Sequence, residues 1–421
     1  MEPQSITVKL DQLSVEQQEC TIYRVNSHLR NVNDKAYEPE IISIGPYHRG
    51  KDNLKMLEEH KLHYLHILLQ SKKKNVQDFI SEIEREEPKA RKCYAEPISL
   101  KATEFTEMMV LDGIFIIELV RKFSMPQLRE KNDPIFHMDW IMTNLQRHLM
   151  LFENQIPFFI LLKLFDLVEV QGQHNRLMYL FACFFYNIYP GKVRRDRWKP
   201  RPKSPDMIKH LLDLVHSDWY PSSHLLGLGD VHVRQRWRSI NSATGLIEAN
   251  VKFKRNKEFT TLFDVGFEKG TILLAPITIE DRTESFLRNL IAYEQYFQNT
   301  EYSFVTDYVI FLNCLIDSPR DVQKLSHFGI MENCLGDDEV VANMFNKLTD
   351  SITLPSNPFS YRRIFRSVKI HCRRKRNRWM AMLRRNYLNS PWAIISIIAA
   401  FIIVILTIIQ TVFSIMQVVK N

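Results

Sequence analysis

Glycine is scarce in this 421-residue chain, with only 12 residues, against the ~7% usual in globular proteins. Nucleotide-binding folds rely on glycine for tight turns around phosphates, so the composition argues against them. There is no Walker loop, no GxSxG elbow and no kinase signature set, and Gly227-Leu228-Gly229 lacks a third glycine. No cofactor is implied. The six cysteines (Cys20, Cys93, Cys183, Cys314, Cys334 and Cys372) form no CxxC pair, and no Asn-X-Ser/Thr sequon occurs. Both observations fit a reducing compartment in which the thiols serve as small core residues. The opening MEPQSITVKLDQLSVEQQEC has no apolar h-region, so no signal peptide is expected. Hydrophobics at 45% and charged residues at 25% exclude collagen-like, mucin-like and wholly disordered classes, and the length permits a sizeable core.

Negative charge is missing at one end. No acidic residue follows Asp350, whereas twelve bases do, from Arg362 to Lys420. The whole chain carries 56 Lys+Arg against 48 Asp+Glu. Without those twelve bases, 44 remain against 48 acids, so the body is at about −4 and the basic character belongs to the tail. A nucleic-acid-binding body would carry its own basic surface, which disfavours that partner class.

Charge of either sign is absent from Trp392 to Val419, about 28 residues or ~40 Å of helix, against a hydrocarbon core of ~30 Å. Its Ser and Thr residues can bond back to their own helix carbonyls and are tolerable in lipid. The pattern predicts a single C-terminal transmembrane helix over 391–419, with Pro391 in its first turn. About eleven bases precede it and only Lys420 follows, so the positive-inside rule puts the N-terminal body in the cytosol. The length suits a thick plasma membrane. Residues 351–390 read as a basic juxtamembrane amphipathic helix. In it Arg373, Arg374, Lys375, Arg376, Arg378, Arg384 and Arg385 lie beside Trp379 and Tyr387, with Trp392 at the interface; its expected partner is anionic headgroups.

Upstream, the periodicity predicts a mainly α-helical body with a small β element. Residues 1–35 form a polar segment, and 36–350 the body, interrupted by a basic, proline-rich loop near 190–205. Helices are expected over Leu54–Leu69 and Thr103–Phe123, from Pro134 to about Phe152, after Pro157, and over Asn175–Ile188. Others follow beyond Asp206 and near Asp281, Tyr302 and Asp337. An extended run is expected over Glu40–Ile44, and short strands at 251–254, 262–267 and 271–274.

Chemistry-bearing clusters are few. His60 and His63 are neighbours on one helix face, a possible metal pair without a third ligand in the sequence. Glu280, Asp281 and Glu284 have the carboxylate density of acid–base or cation chemistry, and equally that of a helix first turn. Glu153-Asn154-Gln155, polar between apolar flanks, suits buried hydrogen bonding at a helix junction.

Taken together, the motifs resemble the plant domain-of-unknown-function 247 family, also called uncharacterised protein family 0481. The matching residues are Ile44-Gly45-Pro46-Tyr47-His48, Glu59-His60-Lys61, Leu111-Asp112-Gly113, and Leu151-Phe152-Glu153-Asn154-Gln155-Ile156-Pro157-Phe158-Phe159. Later come Val251-Lys252-Phe253, Ile279-Glu280-Asp281, Leu290-Ile291-Ala292-Tyr293-Glu294-Gln295 and Asn389-Ser390-Pro391-Trp392. The chain departs from the family pattern at His148, where an Asp is usual, and at Gly245 and Asn250. The resemblance implies a plant, membrane-anchored, largely helical protein; some members act in self-incompatibility or sex determination, others in defence. The family carries no established catalytic residues, so none transfers. The leading expectation is a non-enzymatic, membrane-anchored recognition or signalling protein that binds a protein partner through its body. The alternatives are a membrane-associated enzyme using the carboxylate or His cluster, and a nuclear regulator released from the membrane.

Overall fold

The computed structural model describes residues 20–169, 171–191, 204–219, 239–256, 258, 261–297, 303–353, 359–374 and 391–420. Among these, sixteen α-helices run in chain order: α1 Ser27–Arg30, α2 Glu58–Lys72, α3 Val76–Lys92, α4 Ala102–Ser124, α5 Pro134–His137, α6 Asp139–His148, α7 Phe158–Val168 and α8 His174–Phe185; then α9 Leu211–Asp218, α10 Ala243–Glu248, α11 Asp281–Tyr296, α12 Phe304–Leu315, α13 Pro319–His327, α14 Asp338–Leu348, α15 Arg362–Arg373 and α16 Pro391–Lys420.

Helix α4 is the hub of the N-terminal half. Its sequence is apolar on nearly every side, so it can only be stable when surrounded, and α2, α3, α7 and α8 pack around it. At Gly113 a Cβ would overlap Leu164 Cδ1, which explains why the crossing of α4 and α7 takes no side chain there. A second layer, α11 with α12 and α14, completes one continuous core.

The β element is small and mixed. Strand β1 (Lys252–Arg255) runs parallel to β3 (Thr271–Leu274), and β2 (Val265–Glu268) runs antiparallel to it, with Phe253 and Phe267 both opposite Ile272. A separate parallel pair joins β4 (Ile277–Ile279) to β5 (Met331–Asn333).

Several elements differ from expectation. Helix α3 has so many charged residues, and Pro88 within it, that its apolar stripe is thin; the Asn75–Asp78 capping box starts it. The helix expected from Pro134 breaks at Met138, whose extended backbone separates α5 from α6, and ends at His148. The first turns of the Leu54–Leu69 element are 3₁₀. Residues 40–44 form no strand.

The C-terminal part also differs. Phe359, Tyr361, Phe365 and Val368, beyond the boundary drawn at residue 350, are buried in the core. Helix α15 therefore belongs to the body through one face, and residues 375–390 lie outside the described residues. Helix α16 begins at Pro391, and its stretch Ile398–Gln417 has a mean hydropathy of 2.6 with none of it buried. It is long and apolar enough to cross a membrane. Thr407 and Thr411 donate to the carbonyls of Ile403 and Thr407 at 2.8 and 2.7 Å, so their hydroxyls need no water.

Candidate functional site

The irregular segment Glu40–Gly45 bonds to side chains instead of to a strand. Asn154 Oδ1 accepts Ile44 N–H at 2.6 Å, and Asn154 Nδ2 donates to the carbonyls of His148 and Ile42 at 3.1 and 3.4 Å. Lys61 Nζ donates to Ser43 O at 2.6 Å and to Asp112 Oδ1 at 2.7 Å, while Asp112 Oδ2 accepts Gly45 N–H at 2.8 Å. Gly45 has φ +73, and a Cβ there would stand 2.5 Å from Gln155 O, so both its backbone and its surroundings exclude a side chain. Gln155 Nε2 in turn donates to Leu149 O and Leu151 O, each at 2.8 Å. Pro157 caps α7, and the next N–H, of Phe158, reaches Lys209 O at 2.8 Å.

Glu153 is the charged centre of this knot. Its Oε1 accepts Val25 N–H at 2.6 Å and pairs with Arg30 Nη2 at 2.7 Å. His48 lies between two carboxylates, with Nε2 3.3 Å from Glu153 Oε2 and Nδ1 3.5 Å from Glu38 Oε2, at ion-pair rather than hydrogen-bond geometry. Tyr47 bonds Ile22 O at 3.2 Å and lies under the Arg24 guanidinium. Burial alone would raise the Glu153 carboxyl, but His48, Arg30 and the Val25 N–H outweigh it and hold it down at about 2. His48, Lys61, Asp112, Glu153, Asn154 and Gln155 are no more than 2% exposed. The motif residues Gly45 to His48, Lys61, Asp112 and Glu153 to Pro157, scattered over more than a hundred positions, thus meet at one place. Their chemistry there is to fix the chain: both Asp112 oxygens and Glu153 Oε1 accept hydrogen bonds, while Glu153 Oε2 accepts none and lies 3.3 Å from His48 Nε2 and 3.7 Å from Arg24 Nη1.

His148 adjoins the knot. Its Nε2 accepts from Glu40 N–H at 3.2 Å and Arg147 Nη1 at 3.1 Å, and burial together with Arg147 and His48 pushes its pKa down to about 3.

A second junction was only partly visible in the sequence. Glu294, on α11, caps α12 from outside: it accepts Val305 N–H, Thr306 N–H and Thr306 Oγ–H at 3.0, 2.8 and 2.6 Å, and His216 Nε2 at 2.9 Å. A carboxylate there also complements the helix dipole. Gln295 accepts Thr353 N–H at 3.0 Å. Asn289 accepts Phe152 N–H at 2.9 Å, and Tyr293 donates to Asp213 at 2.8 Å; neither Asn289 nor Asp213 carried a signal of its own. His210 caps α9 through Nδ1 and donates Nε2–H to Thr21 O at 3.1 Å, so it is neutral, and burial lowers it to about 4.

Glu280, Asp281 and Glu284 stand apart from both junctions. They line an open cleft of about 490 Å³ with Lys35, Trp140 and Arg147. Glu280 caps α11 and pairs with Arg282 at 3.0 Å, and Glu284 pairs with Arg288 at 2.8 Å. On α2, His63 pairs with Glu130 at 2.7 Å, and His66, one turn further on, lies 2.9 Å from Gln70 Nε2. Among the described residues no group of three or more His, Cys, Asp or Glu is arranged to hold a metal. None of the six cysteines forms a disulfide. Of the bases placed at the membrane interface, Arg373 and Arg374 are described and exposed, and Trp392 lies in the first turn of α16. Lys375, Arg376, Arg378, Trp379, Arg384, Arg385 and Tyr387 lie outside the described residues, as do Gly227 to Gly229 and most of the basic loop near 190–205.

The fold and its junctions define a helical body closed by buried polar knots, followed by a long apolar helix. The chain belongs to the DUF247 family, described as plant protein of unknown function, whose profile matches residues 22–406. It is 28% identical over 429 residues to the UPF0481 protein At3g47200 of Arabidopsis thaliana, covering 96% of this chain and 88% of that protein. A further Arabidopsis UPF0481 protein, At3g02645, is 22% identical over 500 residues, covering 96% and 92%. No solved structure matches the chain significantly.

Proposed function

We propose that this chain is a membrane-anchored, non-enzymatic recognition protein, held by α16 in a bilayer with its helical body in the cytosol. The observation that carries this reading is the exposure of α16: Phe401, Ile403 and Phe413 are each more than 60% exposed, in a helix with no charge before Lys420. A surface this large and apolar asks to be covered, and a bilayer covers it on all sides. Basic flanks on the N-terminal side favour a cytosolic body, and the span's length favours the plasma membrane.

The non-enzymatic reading is supported by the use of the motif residues. Asp112 and Glu294 spend both carboxylate oxygens, and Glu153 its Oε1, on backbone and side-chain donors inside the core. The cleft beside α11 is the body's candidate partner surface, because Trp140 is 51% exposed there next to the exposed Asp281. Reproduction, as self-incompatibility or sex determination, and defence are the settings suggested by the family resemblance.

The test is alkaline carbonate extraction of membranes carrying the full chain, followed by affinity capture with Trp140→Ala as the comparison. Retention in the pellet, and a protein captured by the native chain but lost with Trp140→Ala, is the expected result. Extraction into the supernatant contradicts the anchor.

A further inference from the structure

Helix α15 has two faces of opposite character. Phe365 and Val368 are buried, and the preceding residues lock the helix to the body: Tyr361 donates to Phe263 O at 3.0 Å, and Asp307 Oδ2 accepts Ser360 N–H at 2.7 Å and its hydroxyl at 2.5 Å. The ring of His371 packs against Phe267 at 5.8 Å between centroids and fills the space above Gly270, where a Cβ would overlap it. The apolar face of this helix is therefore occupied by the body's own core.

The opposite face carries Arg366, Ile370 and Arg373, at the i, i+4, i+7 spacing that stacks side chains on one stripe, and all three are exposed. Arg374 follows directly and is exposed too. Ile370 is 50% exposed among these bases. Lys269, at the tip of the hairpin between β2 and β3 and next in sequence to the Gly270 that His371 covers, adds a further exposed positive charge, with Glu268 as the acid on that hairpin. No acid follows Asp350 to neutralise the stripe from the C-terminal side.

Residues 374–390 separate α15 from α16, and a segment of that length spans at most ~60 Å even fully extended. If α16 is in a bilayer, α15 is always within reach of its headgroups. An isoleucine ringed by arginines is suited to that layer, where the apolar side chain enters the acyl boundary and the guanidinium groups meet phosphates.

We propose that the outer face of α15 is a docking surface for an anionic bilayer, with Arg366, Arg373 and Arg374 on lipid phosphates and Ile370 inserted between them, an inference that rests on the membrane-anchored reading. Because α15 is fixed to the core, docking holds the whole body in one orientation on the membrane instead of leaving it swinging on a tether. That differs from a free juxtamembrane helix lying on the surface, whose apolar side would itself face the lipid.

The experiment uses the full chain reconstituted in vesicles, with the photo-crosslinker p-benzoylphenylalanine introduced at Ile370 and, separately, at the exposed Met207 as a control. Vesicles contain either phosphatidylcholine alone or phosphatidylcholine with a third of phosphatidylserine. The expected result is lipid crosslinking from position 370 that rises several-fold with phosphatidylserine, with position 207 giving little in either. Each basic group near an anionic surface contributes about fivefold to partitioning, so Arg366→Glu combined with Arg373→Glu should return the yield at 370 to the phosphatidylcholine level. Carbonate resistance of the same vesicles reports the anchor independently. An inserted chain whose position 370 crosslinks lipid equally in both vesicles, or not at all, overturns the docking surface alone. A chain that fails to insert overturns docking and anchor together.

Discussion

Lys61 holds its ammonium 2.7 Å from Asp112 Oδ1, and both side chains are buried. The pair joins α2 to α4 and, through Gly45 N–H on Asp112 and Ser43 O on Lys61, ties the irregular segment before residue 46 to both helices. Three stretches far apart in sequence are thereby fixed by two side chains.

Removing one partner leaves an uncompensated buried charge. Lys61→Met is expected to cost about 3–5 kcal/mol in denaturant unfolding of the full chain in detergent. Adding Asp112→Leu should cost less than the sum of the two single losses, by about 1 kcal/mol or more, because the second substitution removes the orphaned carboxylate. Additive losses would mean that the two groups do not interact.

Gly45 and Gly50 separate backbone strain from crowding. Both have positive φ, +73 and +82, but only at Gly45 does a Cβ meet an atom, Gln155 O at 2.5 Å; at Gly50 nothing lies within 4 Å. Gly50→Ala should cost ~1 kcal/mol, whereas Gly45→Ala, adding a backbone clash to the strained φ, should cost on the order of 3 kcal/mol. Equal losses in thermal unfolding would contradict the close approach.

Acid should destabilise the body well above the carboxylate range. His148 and His210 are held neutral, lowered from 6.5 to about 3 and about 4, so below pH 6.5 the unfolded chain binds protons that the native chain refuses. Stability is then complete above about pH 6.5 and falls as pH drops towards 4 for His210 and 3 for His148, by about 2 kcal/mol per histidine at pH 5. Glu153, lowered from 4.5 to about 2, extends the loss in the same direction at lower pH. His148→Gln, whose amide oxygen reaches about as far as Nε2 and does not titrate, should remove that histidine's share of the slope between pH 7 and 5, read from urea midpoints. An unchanged slope contradicts the neutral, buried His148.

The cap on α12 predicts a local effect. Glu294→Gln replaces one accepting oxygen with a donor, so Val305 N–H or Thr306 N–H loses its acceptor at a cost of about 1–3 kcal/mol. Hydrogen exchange should accelerate at Val305 and Thr306 before it changes at the centre of α4. Uniform acceleration across the chain would point to global destabilisation instead.

Much of the helical body was legible because its signals are local. Ala102–Ser124 announces itself by an apolar run, Pro391 opens α16, and the strands near 252, 265 and 271 stand between turn residues. Helices α3 and α13 were missed for a physical reason: their charged residues outnumber a thin apolar stripe, and capping boxes, Asn75–Asp78 and Ser318–Asp321, mark their starts more clearly than periodicity does. The expectation that Glu153-Asn154-Gln155 would serve buried hydrogen bonding matches where these residues lie. Their partners were not legible, because Val25, Ile44 and Leu212 contribute backbone groups, which carry no residue-type signal. The docking of α15 onto the body was hidden similarly: basic residues dominate its sequence, while Phe365 and Val368 decide its place.

The most direct test of the account is protease protection on sealed membranes bearing the full chain with a tag at each end. With the body in the cytosol and α16 spanning the bilayer, the N-terminal tag and the body are digested from the cytosolic side while a short C-terminal fragment carrying its tag survives. Survival of the body with loss of the C-terminal tag would place the body on the opposite side of the membrane. Complete digestion of both ends would contradict a spanning helix.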